Sequence, residues 1–381
     1  MSADINAVDH FSCCNYCSLG GIEIQRKVED ISINGAVDKI LQDIDYRKGA
    51  LFSSSYEYPG RYTQWDIGFV DPCLELRAAG RDFSIKALNA NGARLLPPIL
   101  TKLQELAEIN SMQIVQSGIN GNIMLPAGFF PEEQRSRQPT IFTVIRAIKD
   151  ILAWPDDRFL GLYGAFGYDL VFQFEPIKLQ LQRDPWQEDL VLYLPDDFVV
   201  VDHRMAKAYH FNYSFAGNGQ DGREFIFAAP APQTGAAGEE NAPLPAYQEG
   251  RYAGIVKEAL DYFRRGDLFE VVPSQTLYNK CELAPSGLFN RLRAINPSPY
   301  GFVINLGHDF LVGASPEMYV RVEGKRVETC PISGTIKRGR DAVEDASQIR
   351  TLLNSYKDEA ELTMCTDVIV MTNPAFVNQG R

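Results

Sequence analysis

Residues 302–329 read FVINLGHDFLVGASPEMYVRVEGKRVET. Within them, 302–306 and 309–313 are runs of strand length and strand composition, parted only by Gly307 and His308. Residues 318–322 and 326–329 are two more, parted by Glu323-Gly324-Lys325. Connections this short turn the chain back on itself, whereas parallel neighbours need a crossover of a dozen or more residues. The stretch therefore predicts antiparallel hairpins.

The flanking sequence fits that reading. Upstream, Tyr252, Ile255, Val256, Ala259, Leu260 and Phe263 fall on one helical stripe. Gly266 stands where such a helix ends in a left-handed residue. Residues 268–272 follow as a β run closed by Pro273, and 341–365 turn helical. In the first half, Ile22 and Ile24, 50–52, Leu74 and Leu76, and Phe83 and Ile85 read as short strands. Residues 95–109 and 141–153 read as amphipathic helices, and 161–175 and 189–215 return to strand character. Strands first and helices later, with hairpin connections, predict an α+β fold with antiparallel sheets rather than a doubly wound one. Residues 228–246 are rich in Ala, Pro, Gly and Glu and lack periodicity, so they predict a linker between domains 1–227 and 247–368.

Composition excludes several classes. Acidic residues outnumber basic ones 49 to 37, for a net charge of −12. Such a surface repels nucleic acid and anionic membrane, and an anionic substrate would need a local basic or dipolar pocket. The seven cysteines are odd in number and lack metal-ligand spacing; Cys13, Cys14 and Cys17 come nearest, without a supporting histidine pair downstream. Reduced, structural cysteines and a cytoplasmic location are expected. The N-terminus shows no secretion signal, and no run approaches the roughly 20 apolar residues of a membrane span. GxGxxG, P-loop, GxSxG and HExxH motifs are all missing. His10, His203, His210 and His308 are scattered and read as surface or packing residues.

Five longer segments carry the chemistry. They are Gly266-Asp267-Leu268-Phe269-Glu270-Val271-Val272-Pro273-Ser274, Asn296-Pro297-Ser298-Pro299-Tyr300, Gly313-Ala314-Ser315-Pro316-Glu317-Met318, Pro331-Ile332-Ser333-Gly334-Thr335 and Lys357-Asp358-Glu359-Ala360-Glu361-Leu362. In this order they resemble the chorismate-binding domain shared by anthranilate, aminodeoxychorismate, isochorismate and salicylate synthases. The runs from Phe52 to Arg61 and from Tyr163 to Asp169 resemble the N-terminal domain of anthranilate synthase large subunits, of the type fused to a glutamine amidotransferase. That resemblance implies antiparallel sheets packed as a sandwich with outer helices.

It also implies roles. On spacing alone, Asp358 and Glu361 are a solvated acidic helix face, and Ser333-Gly334-Thr335 is an ordinary turn. The resemblance makes Glu361 a ligand of Mg2+ that grips the ring carboxylate of chorismate, with Asp358 one turn earlier where the family usually has Glu. It makes Gly334 a place of close substrate approach and Thr335 a hydrogen-bonding hydroxyl. Glu270, before Val271 and Val272, stands where isochorismate and salicylate synthases carry a water-activating Lys, so an amine nucleophile is implied. Ser333 stands where aminodeoxychorismate synthases often carry Lys. The implied reaction is that of a carbon–oxygen lyase, in which chorismate and ammonia from glutamine give anthranilate and pyruvate at the start of tryptophan biosynthesis. The alternatives are an aminodeoxychorismate synthase component I of the folate pathway and a non-catalytic tryptophan-binding fragment.

The same resemblance implies a tryptophan feedback site where Leu51, Ser54 and Ser55 meet Pro297, Pro299, Tyr300 and Phe302; the plain alternative is turn prolines beside a buried strand. The implied partners are chorismate, tryptophan and an amidotransferase domain or subunit not found in these residues, and a homo-oligomer is left open. Residues 369–381 depart from the family. Synonymous codons for Asp-Arg-Asn-Asp-Lys-Ser-Arg-Ile-Cys-Lys-Pro-Gly-Ser, read without their first base, translate as the observed tail, so a frame change after Val368 is expected. A chain ending there is expected to lack synthase activity, with some strands left unpaired.

Overall fold

The computed structural model describes residues 13–55, 65–128, 130–175, 177–178, 183–184, 187–216 and 248–372. By its internal contacts the chain divides into two units, Met1–Ala236 with Ala284–Pro316, and Ala237–Leu283 with Glu317–Arg381. The first unit therefore takes in residues 284–316, which the sequence reading placed beyond the linker. The expected linker at 228–246 and the tail from 373 onward lie outside the described residues.

Two antiparallel sheets form the first unit. Across the eight-stranded sheet run Cys14–Cys17, Glu23–Ile31, Lys207–Ala216, Asp197–Asp202, Trp65–Val70, Gly49–Ser53, Tyr300–Asn305 and Phe310–Ser315. Across the six-stranded sheet run Ile109–Val115, Gly118–Ile123, Asp82–Ala87, Leu74–Ala79, Leu190–Leu194 and Tyr163–Phe166. Every strand pair is antiparallel, as expected.

The sheets pack face to face over one core. Phe198, Phe211, Tyr213 and Phe215 of the larger sheet join Leu74, Leu76, Leu192 and Leu194 of the smaller. Phe69 and Tyr193 meet edge to face across the gap, centroids 6.2 Å apart. Helix Ile141–Leu152 buries Ile141, Val144, Ile148 and Ile151 in the same core, and helix Leu96–Gln104 buries Leu96, Ile99, Leu100 and Leu103. Both follow the helical period seen in the sequence.

The larger sheet is covered on its other face too. Successive strand residues point to opposite faces, so Ala50 and Ile304 enter the main core while Leu51 and Val303 enter a second cluster with Val37, Leu41, Ile44 and Phe289. Helices Asp38–Asp43 and Pro285–Ile295 supply that second layer. Strand Tyr300–Asn305 is locked in by Asn305, whose amide donates to the Ile44 carbonyl at 2.8 Å while its own carbonyl accepts from the Tyr193 hydroxyl at 3.0 Å. The expected strand over 161–175 stops at Phe166. Beyond it, Tyr168–Gln173 winds as a 3₁₀ turn, held where the Gln173 side chain bonds the Ile141 N–H at 2.9 Å and the Gly80 carbonyl at 2.6 Å.

The second unit has helix Arg251–Arg265, the hairpin Met318–Glu323/Arg326–Cys330, and helices Ala342–Leu353 and Tyr356–Thr372. Gly266 ends the first helix at φ +78°, as its position predicts. Asp341 caps the second, accepting from the N–H groups of Val343 and Glu344. The expected β run 268–272 is not a strand. A strand is held by ladder bonds to a neighbour, and no described strand pairs with this one, so it stays irregular with Phe269 at 86% exposure and Val272 at 82%.

Candidate active site

The second unit brings together part of the expected catalytic set. Gly334 adopts φ +73°, a conformation that side chains other than glycine rarely take, and a Cβ there would come 2.8 Å from the Asp358 carboxyl group. The Ser333 hydroxyl donates to the Asp358 carbonyl at 3.0 Å. The Ser333-Gly334-Thr335 turn is thus pinned to the first turn of the last helix, where the Ser355 hydroxyl accepts the Asp358 N–H at 3.4 Å. Thr335 is exposed beside this contact.

Glu361 lies one helical turn after Asp358, half-buried and ion-paired to Lys357, which also reaches Asp358 Oδ1 at 3.5 Å. The hydrogen bond to Glu361 raises the Lys357 ammonium above its ordinary value. Glu270 is exposed on the irregular stretch after the first helix. Burial pushes the Cys365 thiol up, and the charges of Glu270, Glu361 and Glu317 add to the shift. Charges carried on three separate segments thus add to the shift of one thiol. Glu317 has no role in the sequence reading, although Pro316-Glu317 sits in a segment singled out there.

Among the described residues, as placed, these carboxylates are not gathered into a magnesium site. A hard divalent cation takes six or more oxygen ligands, several of them carboxylates or waters. Among the described residues no three His, Cys, Asp or Glu side chains are placed to share a metal ion, and the Glu361 carboxylate is occupied by Lys357.

The expected feedback residues all fall in the first unit. Phe302 is registered opposite Phe52, and Val303 opposite Leu51, across the Gly49–Ser53/Tyr300–Asn305 pair. The Ser55 N–H donates to the Ser298 carbonyl at 2.9 Å, so Ser54 and Ser55 lie beside the Pro297-Ser298-Pro299-Tyr300 corner. The Ser298 hydroxyl accepts from the Tyr300 N–H at 3.3 Å and donates to the Ser315 carbonyl. Leu51 is fully buried in the second core cluster, Pro299 is buried and Pro297 exposed. Ser54 differs from these. Its N–H donates to Asp66 Oδ1 at 3.0 Å, and its buried hydroxyl has no partner among the described residues.

Comparison with known proteins shows the family of the chain. Residues 119–372 match the family model described as chorismate binding enzyme. An anthranilate synthase of Azospirillum brasilense is 48% identical over 358 residues, covering 92% of this chain and 48% of that protein. Anthranilate synthase component 1 of Thermus thermophilus is 33% identical over 67% of this chain and 58% of its own length. The Serratia marcescens component 1 is 31% identical over 78% of this chain and 59% of its own length. The chain spans about half the length of these relatives. The family match takes in the Gly334 turn, the Asp358 helix and the strand carrying Phe302, and the chain belongs to the chorismate binding enzymes.

Proposed function

We propose that this chain is the synthase part of an anthranilate synthase, using chorismate and ammonia to form anthranilate, pyruvate and water. Ammonia adds at C2 of the ring, the 4-hydroxyl leaves, and pyruvate is then eliminated. The observation that carries the reading is the contact of Gly334 with Asp358, which sets a glycine against an acidic helix next to the exposed Thr335. The likeness to the Azospirillum brasilense anthranilate synthase over 92% of the chain supports the choice of product. On this reading Thr335 donates to a substrate oxygen and Gly334 leaves room for the ring. Glu270 keeps the nucleophile's approach free of a water-activating amine. Glu361 would give a magnesium ion one ligand, and the described residues do not supply the rest. Tryptophan is the proposed effector at Ser54, and a glutamine amidotransferase the proposed source of ammonia.

A chimaera tests the function. Residues 1–368 replace the matching part of the Azospirillum brasilense enzyme, and the fusion is given chorismate, ammonium and magnesium. Equal amounts of fluorescent 2-aminobenzoate and pyruvate are expected. A 4-amino product, or isochorismate, would overturn the assignment.

A further inference from the structure

Asp66 sits at the back of the Ser54 corner and is buried, with 4% of its surface exposed. Its two carboxylate oxygens serve different partners. Oδ1 accepts the Ser54 N–H at 3.0 Å, and Oδ2 bonds His203 Nε2 at 2.9 Å. Asp66 lies on strand Trp65–Val70 and His203 in the turn after strand Asp197–Asp202, whose register puts Asp202 opposite Trp65. One buried carboxylate thus joins the backbone of the proposed effector corner to an imidazole that reaches solvent. Neither residue belongs to the expected feedback set.

We propose that Asp66 and His203 are positioning residues for the Ser54 effector pocket, and that the pocket is held in its binding form by the protonated His203–Asp66 pair. The inference rests on the reading of Ser54 as part of a tryptophan pocket. With the imidazole protonated, the pair is neutral overall and the buried carboxylate stays fixed on the Ser54 N–H. When the imidazole loses its proton, a buried anion is left with only neutral donors, which is costly in a low-dielectric setting. The carboxylate then gains by turning toward water, and the Ser54 backbone loses its anchor. The charges acting on the imidazole are those of Asp66, Asp202 and Arg293. The hydrogen bond to Asp66 raises the His203 pKa most, the charges of Asp66 and Asp202 add to it, and burial and Arg293 oppose it. Linkage then requires that a ligand preferring the anchored corner draw a proton onto His203 as it binds.

Isothermal titration of the full chain with tryptophan reads this directly. Tryptophan does not itself titrate near neutrality, so heats measured in buffers of different ionisation enthalpy give the protons taken up by the protein. Proton uptake on binding is expected, with affinity about ten-fold weaker at about pH 8.5 than at about pH 6, within the usual range of coupling between sites. His203→Gln should abolish the uptake and flatten the pH profile at the weaker affinity. Proton resonances of the imidazoles supply a second measurement that needs no folded variant to bind: the His203 signal should titrate at higher pH with tryptophan than without. Ser54→Phe separates the two levels. If the unmodified chain does not bind, or Ser54→Phe binds like it, the pocket reading falls and the inference with it. If Ser54→Phe loses binding while His203→Gln keeps the proton uptake and pH dependence, the inference is overturned and the pocket stands.

Discussion

The α-carbon of Gly334 lies against the carboxyl group of Asp358, so close that an added Cβ would come within 2.8 Å of both the carboxyl carbon and one oxygen. Gly324, in the hairpin turn of the same unit, shares the left-handed backbone at φ +58° but has nothing within 4 Å of that position. The pair separates backbone strain from crowding. Gly324→Ala should cost about 1–2 kcal/mol, the price of a Cβ in the left-handed region. Gly334→Ala should cost more, because Asp358 must also move. Urea unfolding of the two variants measures the difference, and equal losses would show that the contact with Asp358 is slack.

Asp157 gathers several partners in the first unit. Its carboxylate, at 1% side-chain exposure, pairs with Arg26 at 3.2 Å and accepts from the hydroxyls of Tyr16 and Tyr213. It also accepts the N–H groups of Phe159 and Leu160 at 3.2 Å. Burial raises both tyrosine hydroxyls, and the Asp157 charge adds to it, so they stay neutral donors. Asp157→Ala removes the carboxylate that pairs with the buried Arg26 guanidinium. The expected loss is about 3–5 kcal/mol, the usual result of removing one partner of a buried pair. Denaturant titration checks it, and a loss below about 1 kcal/mol, the surface-pair range, would mean that Arg26 finds another anion.

Glu75 sets a pH dependence. Burial works to raise its pKa, but the bonds to Arg77 and Lys48 outweigh burial and hold it below the ordinary value. A depressed carboxylate contributes stability above its unfolded value, about pH 4.3, and that contribution is lost as pH falls through the folded value. The two cations do not gain alike. Burial holds Lys48 below its ordinary range despite its bond to Glu75 at 2.6 Å, so its charge is poorly compensated. Glu75→Gln should therefore flatten stability against pH below about 4.3, and Lys48→Met should be tolerated better than Arg77→Met. Thermal melts between about pH 3 and pH 7 test all three.

The sequence was legible where one residue type admits one conformation or one period. Gly266 stood at a helix end and is left-handed there; Val144, Ile148 and Ile151 kept the helical period and are buried. It was misleading where the decisive partner is distant in the chain. Residues 268–272 have strand composition, but composition supplies no neighbour to pair with. Helix Pro285–Ile295 went unread because its apolar stripe is short; its signal was Pro285 at the first turn, where a missing N–H is harmless. Asp66 and Glu317 were given no role, and His203 was read as a surface or packing residue. The bonds of Asp66 to Ser54 and His203 join segments far apart in sequence, which no local spacing encodes.

The same unpaired run yields the last prediction. Phe269 and Val272 are 86% and 82% exposed, and in the same unit Tyr319 and Val322 are 90% and 61% exposed. The stripe of helix Arg251–Arg265 adds Tyr252, Ile255 and Leu260, all exposed. Apolar residues this numerous in one unit favour association, whereas single exposed ones are ordinary. Burying a Phe or Val side chain is worth roughly 1.5–3 kcal/mol, so each residue removed should weaken self-association about ten-fold or more. Sedimentation velocity over a concentration series should show reversible association of the unmodified chain, and Phe269→Ser with Val272→Thr should shift it toward monomer. Tyr46→Ser in the first unit, at an exposed but isolated aromatic, should leave the distribution unchanged. If the Tyr46 variant dissociates as readily as the double one, association is driven by general surface hydrophobicity and not by the unpaired run.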